Sequence, residues 1–272
     1  MGELDGLVGL VQVKALVKEI QAFMEIQERR QVAGLRCEPV VLHMVMKGNP
    51  GTGKTTVARI LGRIYRAMGV LPRGHLVEAE RADLVGEYVG HTAQRTRELI
   101  KKALGGILFV DEAYALARGG ERDFGKEAID TLVKAIEDHK CEMVVILAGY
   151  PVEMDYFMQS NPGLDSRFPL QMEFPDYTGE ELLAIAELLC QERQYCLSPA
   201  ARLALRRHLG RPGGPEAGGL PGNARQVRNL VERALRRQAI RLLGQAAISH
   251  EDLITLQPAD LGEEVARLCA IA

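Results

Sequence analysis

Gly48-Asn49-Pro50-Gly51-Thr52-Gly53-Lys54-Thr55 decides the fold. It follows residues 40–46, a short apolar run rich in β-branched residues that reads as a buried strand. It precedes residues 55–68, whose pattern is helical and is closed by Gly69. The pattern GxxxxGK[ST] between a strand and a helix is a phosphate cradle. Glycine permits the tight turn and the close approach, so that backbone N–H groups converge on phosphate oxygens. Lys54 is expected to neutralise the β- and γ-phosphates and Thr55 to hold Mg²⁺ by its hydroxyl. The helix beginning near Gly53 aims its positive end at the anion. The expected ligand is ATP with Mg²⁺, held by Asn49, Pro50, Gly51, Thr52, Gly53, Lys54, Thr55 and the adjacent Thr56. The bland alternative, a plain glycine turn, leaves the lysine unexplained.

Downstream the pattern repeats. Residues 76–79 are a short strand candidate, and residues 91–104 a helix that stops at Gly105-Gly106. Ile107-Leu108-Phe109-Val110 is a buried strand running into Asp111-Glu112. Residues 126–137 read as a helix, 143–148 as a fourth strand and 170–174 as a fifth. Upstream, residues 11–33 carry Val13, Leu16, Val17, Ile20 and Phe23 at helical spacing. Strands alternating with helices imply an α/β fold with a parallel five-stranded sheet flanked by helices. Continuous apolar strands agree with burial on both faces. After Pro175-Asp176-Tyr177 only helical periodicity remains, over roughly 179–195, 199–209, 222–244 and 249–256. This predicts a nucleotide-binding α/β domain over 1–176, a small all-helical lid over 177–256 and a tail over 257–272. Residues 210–222, dense in Gly and Pro, read as a mobile loop.

The strand before Asp111-Glu112 puts Asp111 at its carboxyl end, where ligands of open α/β sheets bind. Asp111 is the expected second Mg²⁺ contact, and Glu112 the group that polarises the attacking water. Alone, an apolar run before two acids also fits a strand leading into a helix with acidic first-turn residues. Paired with the phosphate loop it points to hydrolysis.

Composition narrows the partners. Of 272 residues 47% are hydrophobic and 26% charged, with a net charge of −2, so there is no general pull toward nucleic acid. No apolar stretch is long enough to span a membrane. The acidic N-terminus lacks a signal-peptide core, and the five cysteines form no framework spacing. A cytoplasmic protein with reduced thiols is expected.

The chain resembles the AAA+ ATPases along nearly its whole length, and most closely their CbbX/stage V sporulation protein K branch. The resemblance is carried by Leu7-Val8-Gly9-Leu10, the phosphate loop, Gly86-Glu87-Tyr88-Val89-Gly90-His91-Thr92, Phe109-Val110-Asp111-Glu112-Ala113-Tyr114, Leu147-Ala148-Gly149-Tyr150 and Glu173-Phe174-Pro175-Asp176-Tyr177. It implies a homo-oligomer, a hexameric ring that remodels another protein. Val8 and Gly9 match the segment flanking adenine. Tyr88, with Val89 and Gly90, matches the aromatic pore loop that grips a polypeptide. Arg167 matches the arginine finger delivered to the neighbouring subunit's γ-phosphate. Read without the resemblance, Arg167 is a surface residue paired with Asp165. Arg225, opening a lid helix in Gly222-Asn223-Ala224-Arg225, matches the sensor-2 arginine.

Two positions depart from the pattern. Ala148-Gly149-Tyr150 offers no small polar residue for sensor 1. Asp165 stands where rubisco-activating relatives commonly carry a second arginine. The client is therefore read as unknown and of the sporulation type, with rubisco as the alternative. A DNA-acting motor is the reading from another class, and it would need a basic channel that this sequence does not show.

Overall fold

The computed structural model describes residues 2–37, 40–88, 90–119, 123–210, 222–245 and 247–268. By contacts the chain divides into two compact units, one of Met1–Gly48 with Gly53–Phe174, the other of Asn49–Thr52 with Pro175–Ala272. Among the described residues no helix is long and apolar enough to cross a membrane.

The first unit runs α1 (Gly2–Asp5), α2 (Val11–Val32), β1 (Met44–Gly48), α3 (Lys54–Ala67), β2 (Leu76–Ala79), α4 (Arg81–Leu84), α5 (His91–Ala103) and β3 (Ile107–Val110). A 3₁₀ turn (Ala113–Ala117), α6 (Gly125–Asp138), β4 (Val144–Gly149), α7 (Pro151–Ser160), α8 (Pro162–Asp165) and β5 (Leu170–Phe174) complete it. The five strands pair in parallel in the order β2-β3-β4-β1-β5. Side chains alternate across a sheet, and on the three middle strands, β3, β4 and β1, both sets are buried apart from the half-buried Lys47. Val45, Leu108, Val110, Val145 and Leu147 share one apolar cluster with Ile100, Leu132 and Phe157 of α5, α6 and α7. Met44, Met46, Ile107, Phe109 and Ile146, on the other face, are also buried. There α3 lies so close that a Cβ on Gly62 would sit 3.6 Å from Ile107 Cδ1 and 2.4 Å from the Gly74 carbonyl. The expected parallel five-stranded sheet with flanking helices is thus present.

Two local differences have physical reasons. The apolar run begins at Val40, yet β1 begins at Met44. At His43 the side chain does the strand's bonding, since Nδ1 accepts the Val145 N–H at 3.0 Å. Periodicity gives no sign of α7, although Pro151 at its first turn is a start signal.

The second unit runs α9 (Gly179–Gln191), β6 (Cys196–Leu197), α10 (Pro199–Leu209), α11 (Asn223–Leu243), α12 (His250–Ile254), β7 (Thr255–Leu256), α13 (Pro258–Leu261) and α14 (Glu263–Arg267). Three of its helices start on side-chain caps. Thr178, Ser198 and Ser249 each accept a backbone N–H three residues on, at 3.1–3.2 Å. The expected helices are present, and β6 and β7 add one short pair that runs in parallel. Strands of two residues are too short to show a period. At the end of the chain, Arg241 grips the buried Asp260 through two 2.9 Å bonds. Leu261, Val265 and Leu268 are buried as well. Most of the glycine-rich loop, residues 211–221, lies outside the described residues.

Candidate functional site

The phosphate loop divides between the two units. In the first, β1 ends on Gly48, and α3 begins at Lys54 behind a left-handed Gly53 (φ +98°). Lys54 Nζ donates to the Gly48 carbonyl at 2.7 Å, at the end of β1. Thr55 is half-buried at the start of α3, and Thr56 is exposed.

In the second unit Asn49–Thr52 is held by a bonded network. Thr52 is buried and donates to the Asn49 carbonyl at 2.8 Å. Tyr177 donates its phenol to the Thr52 carbonyl at 3.1 Å, and burial, with Glu181 adding, pushes that phenol up to about 12. Asn49 Nδ2 reaches both oxygens of Asp176 at 3.0 Å. Asn223, nearly buried and left-handed (φ +44°), donates to Asp176 at 2.8 Å and to the Pro50 carbonyl at 3.3 Å, and accepts the Tyr177 N–H at 3.0 Å. The Ala224 N–H bonds the Gly51 carbonyl at 3.2 Å. Gly51 itself (φ +75°) has no room for a side chain, because a Cβ would lie 2.2 Å from the Gly222 carbonyl. The site residues that sequence reasoning misses are therefore Asp176, Tyr177 and Asn223. The only signal for Asn223 is its place after Gly222 at a helix start. Arg225 is exposed in the first turn of α11, with its N–H on the Gly222 carbonyl.

At the carboxyl end of β3, the Asp111 N–H bonds the Ala79 carbonyl at 2.9 Å and its carboxylate accepts the Glu112 N–H at 3.0 Å. Glu112 is exposed and left-handed (φ +46°, ψ +44°). Such a backbone costs a non-glycine residue about 1–3 kcal/mol and is kept where its surroundings enforce it. The surroundings here are the 3₁₀ turn that follows, anchored by buried Ala113, Tyr114 and Leu116. Burial first, then the Glu112 and Tyr150 charges, push the Tyr114 phenol up to about 12, with Arg118 opposing. The Arg118 guanidinium lies 4.5 Å over the Tyr114 ring. Gly149, closing β4, leaves space for that ring: a Cβ there would meet Tyr114 Cδ1 at 2.7 Å. Any side chain at 149 would have to displace Tyr114 or Met154, whose Sδ lies 2.8 Å from the same Cβ position.

The remaining candidates are spread over the first unit. Val8 and Gly9 are half-buried in a segment where Gly9 (φ +62°) and Leu10 (φ +54°) are both left-handed. Tyr88 is 67% exposed and packs edge-on to His91, with ring centroids 5.6 Å apart. Gly90 (φ +83°) follows, and Val89 lies outside the described residues. Arg167 does not pair with Asp165. Its guanidinium donates to the Gly163 carbonyl at 2.6 Å and to Glu137 of α6 at 2.5 Å.

The family model for the ATPase family associated with various cellular activities (AAA) matches residues 44–176, and the model for an AAA lid domain matches residues 178–270. The chain is an AAA ATPase. This AAA ATPase is 53% identical over 259 residues to stage V sporulation protein K of Bacillus subtilis (strain 168), covering 95% of the chain and 80% of that protein. It is 47% identical over 243 residues to protein CbbX of Cereibacter sphaeroides, covering 88% and 77%. It is 44% identical over 259 residues to the chloroplastic ribulose bisphosphate carboxylase/oxygenase activase of Cyanidioschyzon merolae, covering 94% and 87%. Among solved structures the FIGL-1 AAA domain shares the fold with a TM-score of 0.62 at 18% identity, over 97% of this chain and 82% of that one. A Thermotoga maritima RuvB mutant does so at 0.57 and 20%, over 92% and 70%. Membership carries ATP hydrolysis and nucleotide binding.

Proposed function

We propose that this AAA ATPase works as a cytoplasmic remodeller of a protein client, as a ring of identical copies and with a hexamer as the expected state. The observation that carries the reading is Tyr88: an aromatic ring, largely exposed, on a short loop whose first glycine is bonded to a buried threonine, Gly86 N–H to Thr92 Oγ1 at 2.9 Å. A ring so presented gives apolar, sequence-tolerant grip on a passing chain.

ATP is taken up by residues 49–56 with Lys54 on the β- and γ-phosphates, and by Val8 and Gly9 beside the adenine. The glycine geometry at Gly51 and Gly53 suits close approach of an anion, and Thr55 with Asp111 supplies the hard oxygens that Mg²⁺ prefers. Bound Mg²⁺ neutralises developing phosphate charge. Glu112 orients and deprotonates the attacking water. Arg225 reports the nucleotide of its own copy, and Arg167 leaves Glu137 to reach the γ-phosphate held by a neighbouring copy. Residues 1–176 act as the nucleotide domain, residues 177–256 as its helical lid and residues 257–272 as a tail.

The client is read as one of the stage V sporulation protein K type. The 53% relative and Asp165 in place of a second arginine both support this. A second reading, rubisco activation, has its support in the relatives named CbbX and ribulose bisphosphate carboxylase/oxygenase activase. The deciding assay adds the protein and ATP to rubisco inhibited by sugar phosphate. Restored carboxylation selects the second reading, and unrestored carboxylation alongside steady ATP turnover selects the first. Lys54→Ala with undiminished turnover would sink both.

A further inference from the structure

Between the acidic turn and the Tyr88 loop lies an arginine that has no part in nucleotide binding as proposed. Arg81 opens α4, immediately after β2 and Glu80. One arm of its guanidinium, Nη1, donates to the Ala115 carbonyl at 2.7 Å, inside the 3₁₀ turn that follows Glu112. The other, Nη2, donates to both oxygens of Asp123 at 2.7 and 2.8 Å. Asp123 in turn accepts the Gly125 N–H at 2.8 Å, at the start of α6. Asp123 is only 15% exposed, and the Arg81 bonds hold its carboxyl below the usual range. The fit leaves no slack. A Cβ on Gly125 would lie 2.0 Å from the Leu116 carbonyl and 2.9 Å from Arg81 Nη1.

The chain leading to and from Arg81 is fixed at short intervals. Two residues before it, the Ala79 carbonyl accepts the Asp111 N–H at 2.9 Å. The stretch 79–81 therefore grasps the acidic turn at both ends, by backbone at Asp111 and by side chain at Ala115. After Arg81 comes one turn of helix, closed by the Val85 N–H on the Arg81 carbonyl at 2.9 Å. The Leu84 carbonyl accepts buried Thr96 Oγ1 at 3.1 Å, and the Gly86 N–H rests on buried Thr92. Tyr88 is two residues further. Bonds at Ala79, Arg81, Leu84 and Gly86 thus tie this path at intervals of two or three residues.

We propose that Arg81, held by Asp123, is the positioning residue that couples movement of the Asp111–Glu112 turn to the Tyr88 loop. The left-handed Glu112 gives that turn a strained arrangement from which a shift is available when its carboxylate engages a water or loses one. A displaced Ala115 carbonyl draws the planar guanidinium with it, because the two arms are set at a fixed angle and both are bonded. Arg81 then carries α4, and the Tyr88 ring moves. A lysine cannot hold Ala115 and Asp123 together in this way, since its ammonium is a point charge on a flexible stem. The proposal rests on Tyr88 being the gripping residue of an ATP-driven cycle.

The test exploits the absence of tryptophan from the sequence. Tyr88→Trp in the full chain places a single indole in the loop. Its emission is read with ATP, with a non-hydrolysable ATP analogue and with ADP, in a protein carrying Arg81 and in one carrying Arg81→Lys. Fluorescent nucleotide affinity and phosphate release are measured on the same samples. The expected result is a nucleotide-dependent emission change that Arg81→Lys removes while nucleotide affinity and basal turnover persist, since Asp111 keeps its bond to Ala79. An emission change of equal size in Arg81→Lys overturns the proposal, as does an Arg81 protein whose indole ignores nucleotide. If Arg81→Lys does not fold, Asp123→Asn takes its place with the same two outcomes, and Asp123→Glu should restore part of the response. Loss of phosphate release from the parent protein would instead strike the ATPase reading, which the analogue-binding arm does not depend on.

Discussion

The phosphate loop and the acidic turn both bend the backbone into the left-handed region, and they do so with opposite chemistry. Gly51 and Gly53 take φ values of +75° and +98° without a side chain to strain. Glu112 takes φ +46° with its carboxylate in place. Where only backbone N–H groups are needed, the chain uses glycine and the bend is almost free. Where a carboxylate must stand at the bend, the strain is kept and neighbouring packing enforces it. The difference separates a feature that a motif can announce from one that only a folded turn reveals.

The strongest way to break this contrast is at Glu112. Glu112→Gln should lower ATP turnover by roughly 10²–10⁴-fold without raising stability, because the amide keeps the strain and loses the base. Glu112→Gly should abolish turnover equally but raise stability by about 1 kcal/mol, as the bend is relieved. Equal stability of the two variants in a urea titration would show that the turn is not strained. At Gly51 the reverse is expected. Gly51→Ala should cost about 2–4 kcal/mol, combining left-handed strain with overlap against the Gly222 carbonyl, and should weaken nucleotide binding. An alanine variant of parental stability would mean that the close approach is not obligatory.

The contrast also extends to a buried side chain. His43 is fully buried, and burial lowers its value from 6.5 to about 4, against a smaller opposing contribution from the Ile136 backbone. The fold disfavours the protonated ring, whereas the unfolded chain accepts the proton below 6.5. Stability should therefore fall as pH drops from 6.5 toward 4 and level off below that. The loss at pH 5 is about 2 kcal/mol. Urea midpoints at pH 7 and pH 5 check this, and in His43→Gln the pH dependence attributable to this group should vanish. The smallest effect is expected at Glu137, whose side chain is 61% exposed. Glu137→Gln should change stability by less than about 1 kcal/mol. It should nevertheless raise the turnover contributed by Arg167 if that pair restrains the arginine. Unchanged turnover would mean that Glu137 is only a surface partner.

Much of the site is legible from the residues alone. The phosphate loop declares itself because its chemistry is made by neighbours in sequence: two glycines, a lysine and a threonine within one turn. The strand before Asp111-Glu112 declares itself because four consecutive apolar residues have few other uses. Arg81 with Asp123, Arg167 with Glu137, and the network of Asp176, Tyr177 and Asn223 around residues 49–52 do not declare themselves. Each partner is separated by 30 or more residues from the group it serves. Asn223 carries a helix-start signal and nothing more, although it satisfies a carbonyl, a carboxylate and a backbone N–H at once.

Hydrophobic period and glycine spacing are local properties of a chain, and they suffice for the five strands, the long helices α3, α5 and α6 between them and the nucleotide loop, though not for α7. Folding adds what they cannot hold: which carbonyls the arginines grip, why Gly149 leaves no room for a side chain, and that Glu112 sits in a strained bend. Those depend on which distant groups packing brings within about 3 Å, and hydrogen bonds of that length cannot be read from spacing alone.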